Sequence, residues 1–147
     1  MKSKHHSQDI GRIAERRVGA VLIMYGRSVS MARMRQGSNA EPFDMLVDGK
    51  PIEVKTAEPR KLSSKSDANS FGWVFNIHRH GVVKENGLFG YVLRLENFPG
   101  SAYAVHMFFR APLGVPTVQV SLKNILKRPD FYQAVQDFYK FAKGEIQ

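Results

Sequence analysis

The sequence predicts a mixed α/β domain, and three observations lead to this prediction. An N-terminal segment repeats apolar residues at helical spacing, several short apolar runs further along are typical of strands, and a second helical stripe lies near the end. The 147 residues suit one domain with a hydrophobic core, and no internal repeat or linker divides them. We therefore predict a single domain over residues 1–147, with helices flanking a mixed sheet.

The first predicted element is a helix that follows a flexible arm of residues 1–7. Ser7 is suited to cap this helix and Gly26 is suited to end it. Glu15 lies at the border of the apolar stripe, which leaves two interpretations open: a solvated charge, or a carboxylate that faces the sheet. The stripe itself comprises Ile10, Ile13, Ala14, Val18, Val21, Leu22 and Tyr25.

A strand over residues 28–35 comes next, followed by a hairpin whose turn is Asp48-Gly49. Asp-Gly between two apolar runs is a strong signal for a two-residue turn. If these residues form the turn, the pairing places Asp44 opposite Glu53, at a position without a direct hydrogen bond. Opposed side chains at such a position lie about 4.5–5.5 Å apart at Cβ. Because like charges facing each other destabilise a sheet, we expect a compensating partner here.

Lys55 follows Glu53 by two residues, so the two side chains point to the same face of the strand. Aspartate, eight intervening residues and then Glu-Val-Lys resembles the motif of the PD-(D/E)XK nuclease superfamily. The usual Pro-Asp pair stands here as Pro42-Phe43-Asp44, with one residue inserted. The competing interpretation is an ordinary hairpin with charged residues on its solvent face, because the pattern is short.

The resemblance extends over about residues 8–56 and implies both a fold and a chemistry. The fold it implies is a restriction-endonuclease-like core, in which an N-terminal helix precedes the strands. The chemistry is phosphodiester hydrolysis that depends on Mg²⁺ or Mn²⁺, with Glu15, Asp44, Glu53 and Lys55 as catalytic residues. The implied metal ligands are Asp44, Glu53, the main-chain carbonyl of Val54, and Glu15.

The formal net charge of +9 favours a polyanionic partner such as DNA. A homodimer is expected, because so short a chain cuts both strands of a duplex most simply as a pair. No apolar run is long enough to span a membrane, no signal peptide is visible, and the absence of cysteine fits a reducing cytoplasmic location. Five basic residues are predicted to contact phosphates: Arg33, Arg35, Lys61, Lys65 and Arg79.

The remainder of the chain predicts a loop, four strands and two helices. Residues 57–70 are polar and are expected to form the loop, and strands are predicted at residues 71–79, 88–95, 102–109 and 117–120. Ser121 is suited to cap a short helix that reaches Leu126, and Pro129 is suited to open the last helix. The aromatic stripe of the last helix fits either the core or a dimer interface. Superfamily members usually place a helix after the Glu-x-Lys strand, and none is predicted here, so the topology of the middle region stays open.

Two other functions are compatible with the sequence. A DNA-binding module could keep the nuclease frame without catalysis, and an adaptor for acidic proteins would explain the charge but not the opposed carboxylates. Among nucleases, the sequence does not distinguish a junction resolvase, a homing or restriction endonuclease, and a repair enzyme.

Overall fold

Two sheets and two helices make up the described part of this computed structural model, which comprises residues 4–31, 43–62, 71–77 and 87–147, with side chains from Ile10 onward. The helices are α1 (Lys4–Met24) and α2 (Pro129–Ala142). The predicted α/β class, with an N-terminal helix and a mixed sheet, is confirmed. The strands are β1 (Val29–Met31), β2 (Met45–Val47), β3 (Lys50–Ala57), β4 (Arg60–Lys61), β5 (Phe71–Asn76), β6 (Gly90–Leu95), β7 (Val105–Arg110) and β8 (Thr117–Ser121).

The larger sheet has five strands in the order β1-β2-β3-β6-β7, and the smaller has three in the order β4-β5-β8. Strands β3 and β6 are parallel, whereas the other paired neighbours are antiparallel. The chain passes from β3 to β6 by way of β4 and β5 of the smaller sheet. This route settles the topology that the sequence left open.

The hairpin of β2 and β3 has the predicted register from its turn as far as Met45 and Ile52, where the ladder ends, so the predicted pairing of Asp44 with Glu53 lies beyond the paired residues. Val47 pairs with Lys50 and Met45 pairs with Ile52, around a turn at Asp48 and Gly49. Both turn residues have positive φ, 50° for Asp48 and 81° for Gly49, as a two-residue turn of this hand requires. The turn chemistry therefore determines which residues of β3 face β2.

Each face of the larger sheet is covered by a separate set of side chains. On one face, Val18 and Leu22 of α1 pack with Ile52 and Val54 of β3. On the other face, Trp73 of the smaller sheet packs with the residues of β6 and β7 that point to that side, which are Tyr91, Leu93, Leu95 and Met107. The aromatic stripe of α2 is buried rather than exposed as an interface. Phe131 and Ala134 pack in the set around Trp73, whereas Phe138, Phe141 and Ala142 pack in the set that includes α1.

Three predictions of secondary structure are wrong in detail. Helix α1 begins at Lys4, inside the predicted arm, because no glycine or proline interrupts the chain before Ile10. Part of the predicted loop pairs with β5 as strand β4, which a polar sequence without apolar alternation does not reveal. The predicted helix after Ser121 is a series of turns, in which the Ser121 hydroxyl accepts the Asn124 N–H at 3.2 Å.

Candidate active site on the β2–β3 hairpin

Asp44 stands immediately before β2 and is tied to β3 by its side chain. Its main-chain N–H donates to the Ile52 carbonyl at 3.0 Å, and its Oδ2 accepts the Val54 N–H at 2.7 Å. In an uninterrupted ladder that Val54 N–H would bond to the main chain of the opposite strand. The side chain of Asp44 therefore replaces a ladder bond, which holds its carboxylate against the middle of β3.

Glu53 and Lys55 project from the same face of β3, as the strand periodicity predicts. Ile52 and Val54 alternate with them and are buried, whereas Glu53 and Lys55 are half-buried. Lys55 Nζ lies 3.6 Å from Glu53 Oε1, which makes an ion pair. Lys55 therefore supplies the positive charge that was expected to compensate the carboxylates.

Glu15 reaches this group from α1. It follows Ala14 and precedes Val18, both fully buried, and is itself half-buried. The pKa of Glu15 is raised from its ordinary value of 4.5 to about 7, first by burial and then by the charge and the hydrogen bond of Asp44, against the opposing effect of Arg12. Of the two interpretations of Glu15, the structure favours the carboxylate that faces the sheet.

The pKa of Asp44 is also raised. Burial raises the pKa of Asp44, while the Val54 N–H, the contact with Glu15 and the charge of Lys55 lower it and oppose that shift. Glu53 adds to the rise in the pKa of Glu15. The carboxyl groups of Glu15, Asp44 and Glu53 thus lie close together beside Lys55. A divalent cation is the kind of ligand that relieves repulsion among neighbouring carboxylates.

The residues present suit a magnesium ion, although the described side chains form no ready-made cage. In the described ranges, no group of three or more acidic or histidine side chains is arranged to hold a metal ion. Magnesium takes few protein ligands and keeps several waters, so Asp44, Glu53 and the Val54 carbonyl fit its preference for oxygen. That Glu15 is a direct ligand stays a prediction.

The predicted phosphate contacts are only partly within the described residues. Lys61 is exposed in β4 and pairs there with Phe71 of β5. Its place at the end of the smaller sheet leaves it accessible to a large ligand. Four of the predicted contacts, Arg33, Arg35, Lys65 and Arg79, lie outside the described residues.

A second ionic group, which was not predicted from the sequence, lies on β6, the residue after it and β7. Arg94 Nε donates to Glu96 Oε1 at 2.7 Å, and Arg94 Nη1 lies 2.8 Å from His106 Nε2. Thr56, the residue after Lys55, places its hydroxyl 3.4 Å from the same Glu96 oxygen. One signal was available in the sequence: Arg94 is the charged residue in the otherwise apolar run Gly-Tyr-Val-Leu-Arg-Leu.

Comparisons with known proteins identify the fold but no family. No family model matches the sequence, and no curated protein matches it. Among solved structures, the bacterial homing endonuclease I-Ssp6803I matches with a TM-score of 0.63 and 14% sequence identity, over 94% of this chain and 93% of that chain. The predicted endonuclease-like fold is therefore confirmed, whereas membership of the PD-(D/E)XK superfamily stays a prediction from the motif.

A further expectation from the sequence is that no segment spans a membrane. Within the described residues, neither α1 nor α2 combines the length and the apolar character that crossing a membrane requires.

Proposed function

We propose that this protein is a DNA endonuclease that depends on Mg²⁺ or Mn²⁺ and hydrolyses phosphodiesters at Asp44, Glu53 and Lys55. The observation that carries the proposal is the convergence of Glu15, Asp44 and Glu53 beside Lys55, in a chain that shares its fold with a homing endonuclease. The net charge of +9 supports a polyanionic substrate.

Each residue has a role that follows from its position. Asp44, Glu53 and the Val54 carbonyl would hold the metal, which when bound lowers the pKa of a water and offsets charge on the phosphate. Lys55, held by Glu53, would orient the attacking water or stabilise the negative charge that develops on the phosphate. Glu15 has a pKa near neutral pH, which suits a group that accepts and returns a proton.

The electrostatics favour catalysis over the alternative of a non-catalytic DNA-binding module. A surface that only binds DNA gains nothing from clustered carboxylates, because they repel phosphates. Here burial, together with the neighbouring carboxylates of Asp44 and Glu53, raises the pKa of Glu15 to about 7. A metal-dependent site explains this arrangement, since the cation attracts both the carboxylates and the substrate.

Replacing the lysine tests the proposal most directly. Lys55→Ala should reduce metal-dependent cleavage by about 10²–10³-fold, because one preorganised charge at a developing anion contributes that much. The measurement is single-turnover cleavage of labelled duplex, single-stranded, flap and four-way-junction DNA, with binding measured separately in Ca²⁺. Lys123→Ala, an exposed lysine after β8, is the matched control and should cleave as the wild type does.

The outcomes separate the two functions. Equal cleavage by wild type and Lys55→Ala would remove Lys55 from the site. Wild-type protein that binds DNA but cleaves none of the four substrates would favour the non-catalytic module.

The proposal also includes a homodimer on DNA, since a single site cuts one strand at a time. Sedimentation equilibrium with and without duplex DNA measures this. A monomer in both conditions would contradict it.

A further inference from the structure

A cavity, which we call the Arg94 cavity, opens between α1 and the segment that joins β6 to β7. Its volume is about 450 Å³, within the range of sites that bind small molecules. Helix α1 contributes Arg17 to its lining, and the strands and their connection contribute Arg94, Glu96, Tyr103 and His106. The residues proposed for hydrolysis, Asp44, Glu53 and Lys55, do not line it.

The guanidinium of Arg94 is held rigidly in this cavity. Arg94 is only 7% exposed, and Glu96 and His106 hold its Nε and Nη1. Arginine can only donate, so His106 Nε2 must accept, and the neutral ring carries its proton on Nδ1. Among the described residues Nη2 has no hydrogen-bond partner, which leaves that nitrogen for a ligand.

The charges that line the cavity favour an anion. Arg17 and Arg94 are cationic, Glu96 offsets one of them, and His106 is neutral because burial and the Arg94 cation lower its pKa to about 4. One net positive charge remains around a partly desolvated guanidinium. Guanidinium groups bind phosphate through paired, charge-assisted hydrogen bonds, and such bonds strengthen away from bulk water.

The rim of the cavity carries an aromatic ring. Tyr103 is 82% exposed in the connection between β6 and β7, although large aromatic side chains usually bury most of their surface. An exposed ring beside a phosphate-binding guanidinium is the pairing by which proteins hold a nucleotide, with the base stacked on the ring.

We propose that the Arg94 cavity binds a phosphate-bearing nucleotide, with Arg17 and Arg94 at the phosphate and Tyr103 against the base. The nucleotide is either one unit of a DNA strand or a free nucleoside monophosphate. Helix α1 carries Glu15 and also Arg17 and Val21, which line the Arg94 cavity. At a rise of 1.5 Å per residue, Val21 lies about 9 Å beyond Glu15 along the helix axis. The hydrolytic site and the nucleotide cavity are therefore neighbours on one rigid helix.

Arg16 and Arg17 provide a matched pair of variants, because both are exposed residues of α1 and only Arg17 lines the cavity. Binding of inorganic phosphate, deoxyadenosine monophosphate and a six-nucleotide single strand is measured by calorimetry in EDTA. Without metal, the result does not depend on whether the protein cleaves DNA. Arg17→Gln should weaken binding about tenfold, the effect of losing one charge-assisted hydrogen bond, and Arg16→Gln should not.

Two further variants test the remaining contacts. Arg94→Lys keeps the charge but loses the planar fork, so it should also weaken phosphate binding, while a thermal melt verifies that it is folded. Tyr103→Ala should weaken binding of the mononucleotide several-fold and leave inorganic phosphate unchanged, because only the nucleotide has a base to stack.

The three probes identify the source of the nucleotide. Dependence on Arg17 with the mononucleotide supports a free ligand, and dependence on Arg17 with the six-nucleotide strand alone supports a DNA strand. Equal weakening by Arg16→Gln and Arg17→Gln would overturn the proposal, since it would show only general attraction to a basic surface. Failure of all three probes to bind would overturn it as well.

Discussion

Asp44 and Asp48 lie four residues apart on one hairpin, yet their surroundings shift their pKa values in opposite directions. Asp48 is exposed and accepts hydrogen bonds from the Ser28 N–H at 2.9 Å and from Arg27 at 3.1 Å, which lower its pKa. The pKa of Asp44 is raised, chiefly by burial. One aspartate is stabilised by its neighbours, and the other is held in an environment that opposes its charge.

The difference is consistent with a structural role for Asp48 and with the functional role that we propose for Asp44. Asp48 connects the turn to the start of β1, so its charge contributes to the fold. The charge of Asp44 is opposed by burial, and that charge in turn raises the pKa of Glu15. Groups held against their preferred ionisation state are common at active sites, which supports the proposal that the chemistry takes place at Asp44.

The largest expected effect is on cleavage. Asp44→Asn should reduce metal-dependent DNA cleavage by at least about 100-fold. Mutating residues that only hydrogen-bond to metal ligands already reduces metal affinity or activity by about 10–100-fold, and Asp44 is a proposed direct ligand. Asp48→Asn should cleave as the wild type does. Single-turnover rates of both variants, side by side, measure the comparison. If both lose activity equally, the contrast between the two aspartates has no functional meaning.

The next effect is on the response to metal. Saturating Mg²⁺ or Mn²⁺ should stabilise the wild type, by about 2.7 kcal/mol at 100 times the dissociation constant, because binding only the folded state stabilises it by mass action. Thermal melts in EDTA and in metal measure this. Asp44→Asn should lose most of the response and Asp48→Asn should keep it. An unchanged wild-type melt in millimolar metal would contradict the paired-carboxylate site.

A smaller effect concerns pH. The pKa of Glu15 is raised to about 7 in the folded protein from an ordinary value of 4.5, so folding favours its protonated form. The stability that protonation of Glu15 contributes to the folded protein is fully present below about pH 4.5 and is lost as the pH rises through about 7. In EDTA, the wild type should therefore lose stability relative to Glu15→Gln as the pH rises from about 4.5 to about 7.

Comparing those two proteins cancels the opposing titration of His106. The pKa of His106 is lowered from 6.5 to about 4, so His106 destabilises both proteins equally as pH falls through that interval. The measurement is the free energy of unfolding in urea at several pH values. If the difference in the free energy of unfolding between wild type and Glu15→Gln does not change with pH, the pKa of Glu15 is not raised in the folded protein.

The smallest effect is the stability contribution of Asp48 itself. Asp48→Asn should lower the free energy of unfolding by at most about 1 kcal/mol, the usual limit for an exposed ion pair such as Asp48 with Arg27. Asparagine tolerates the positive φ of 50° at this position, so the turn is retained. Asp44→Asn should cost less stability, because it removes a charge that burial opposes. The reverse order in urea unfolding would contradict the assignment of roles.

The sequence by itself determined the hairpin and the residues that face outward from it. The Asp48-Gly49 turn specifies the pairing of β2 with β3, and the two-residue period of a strand places Glu53 and Lys55 together. The hydrophobic stripes likewise located both helices. These features depend on residues close together in the chain, where turn geometry and periodicity decide the outcome.

Only the tertiary structure decided what lies next to that hairpin. The contact of Glu15 with Asp44 depends on how α1 packs, and the Arg94 cavity depends on β6 lying parallel to β3. The carboxylate of Asp44 also replaces a ladder bond to Val54, which no pairing pattern predicts. The physical reason is that these contacts join segments far apart in sequence, and such segments meet where their apolar faces are buried together rather than where local propensity directs them.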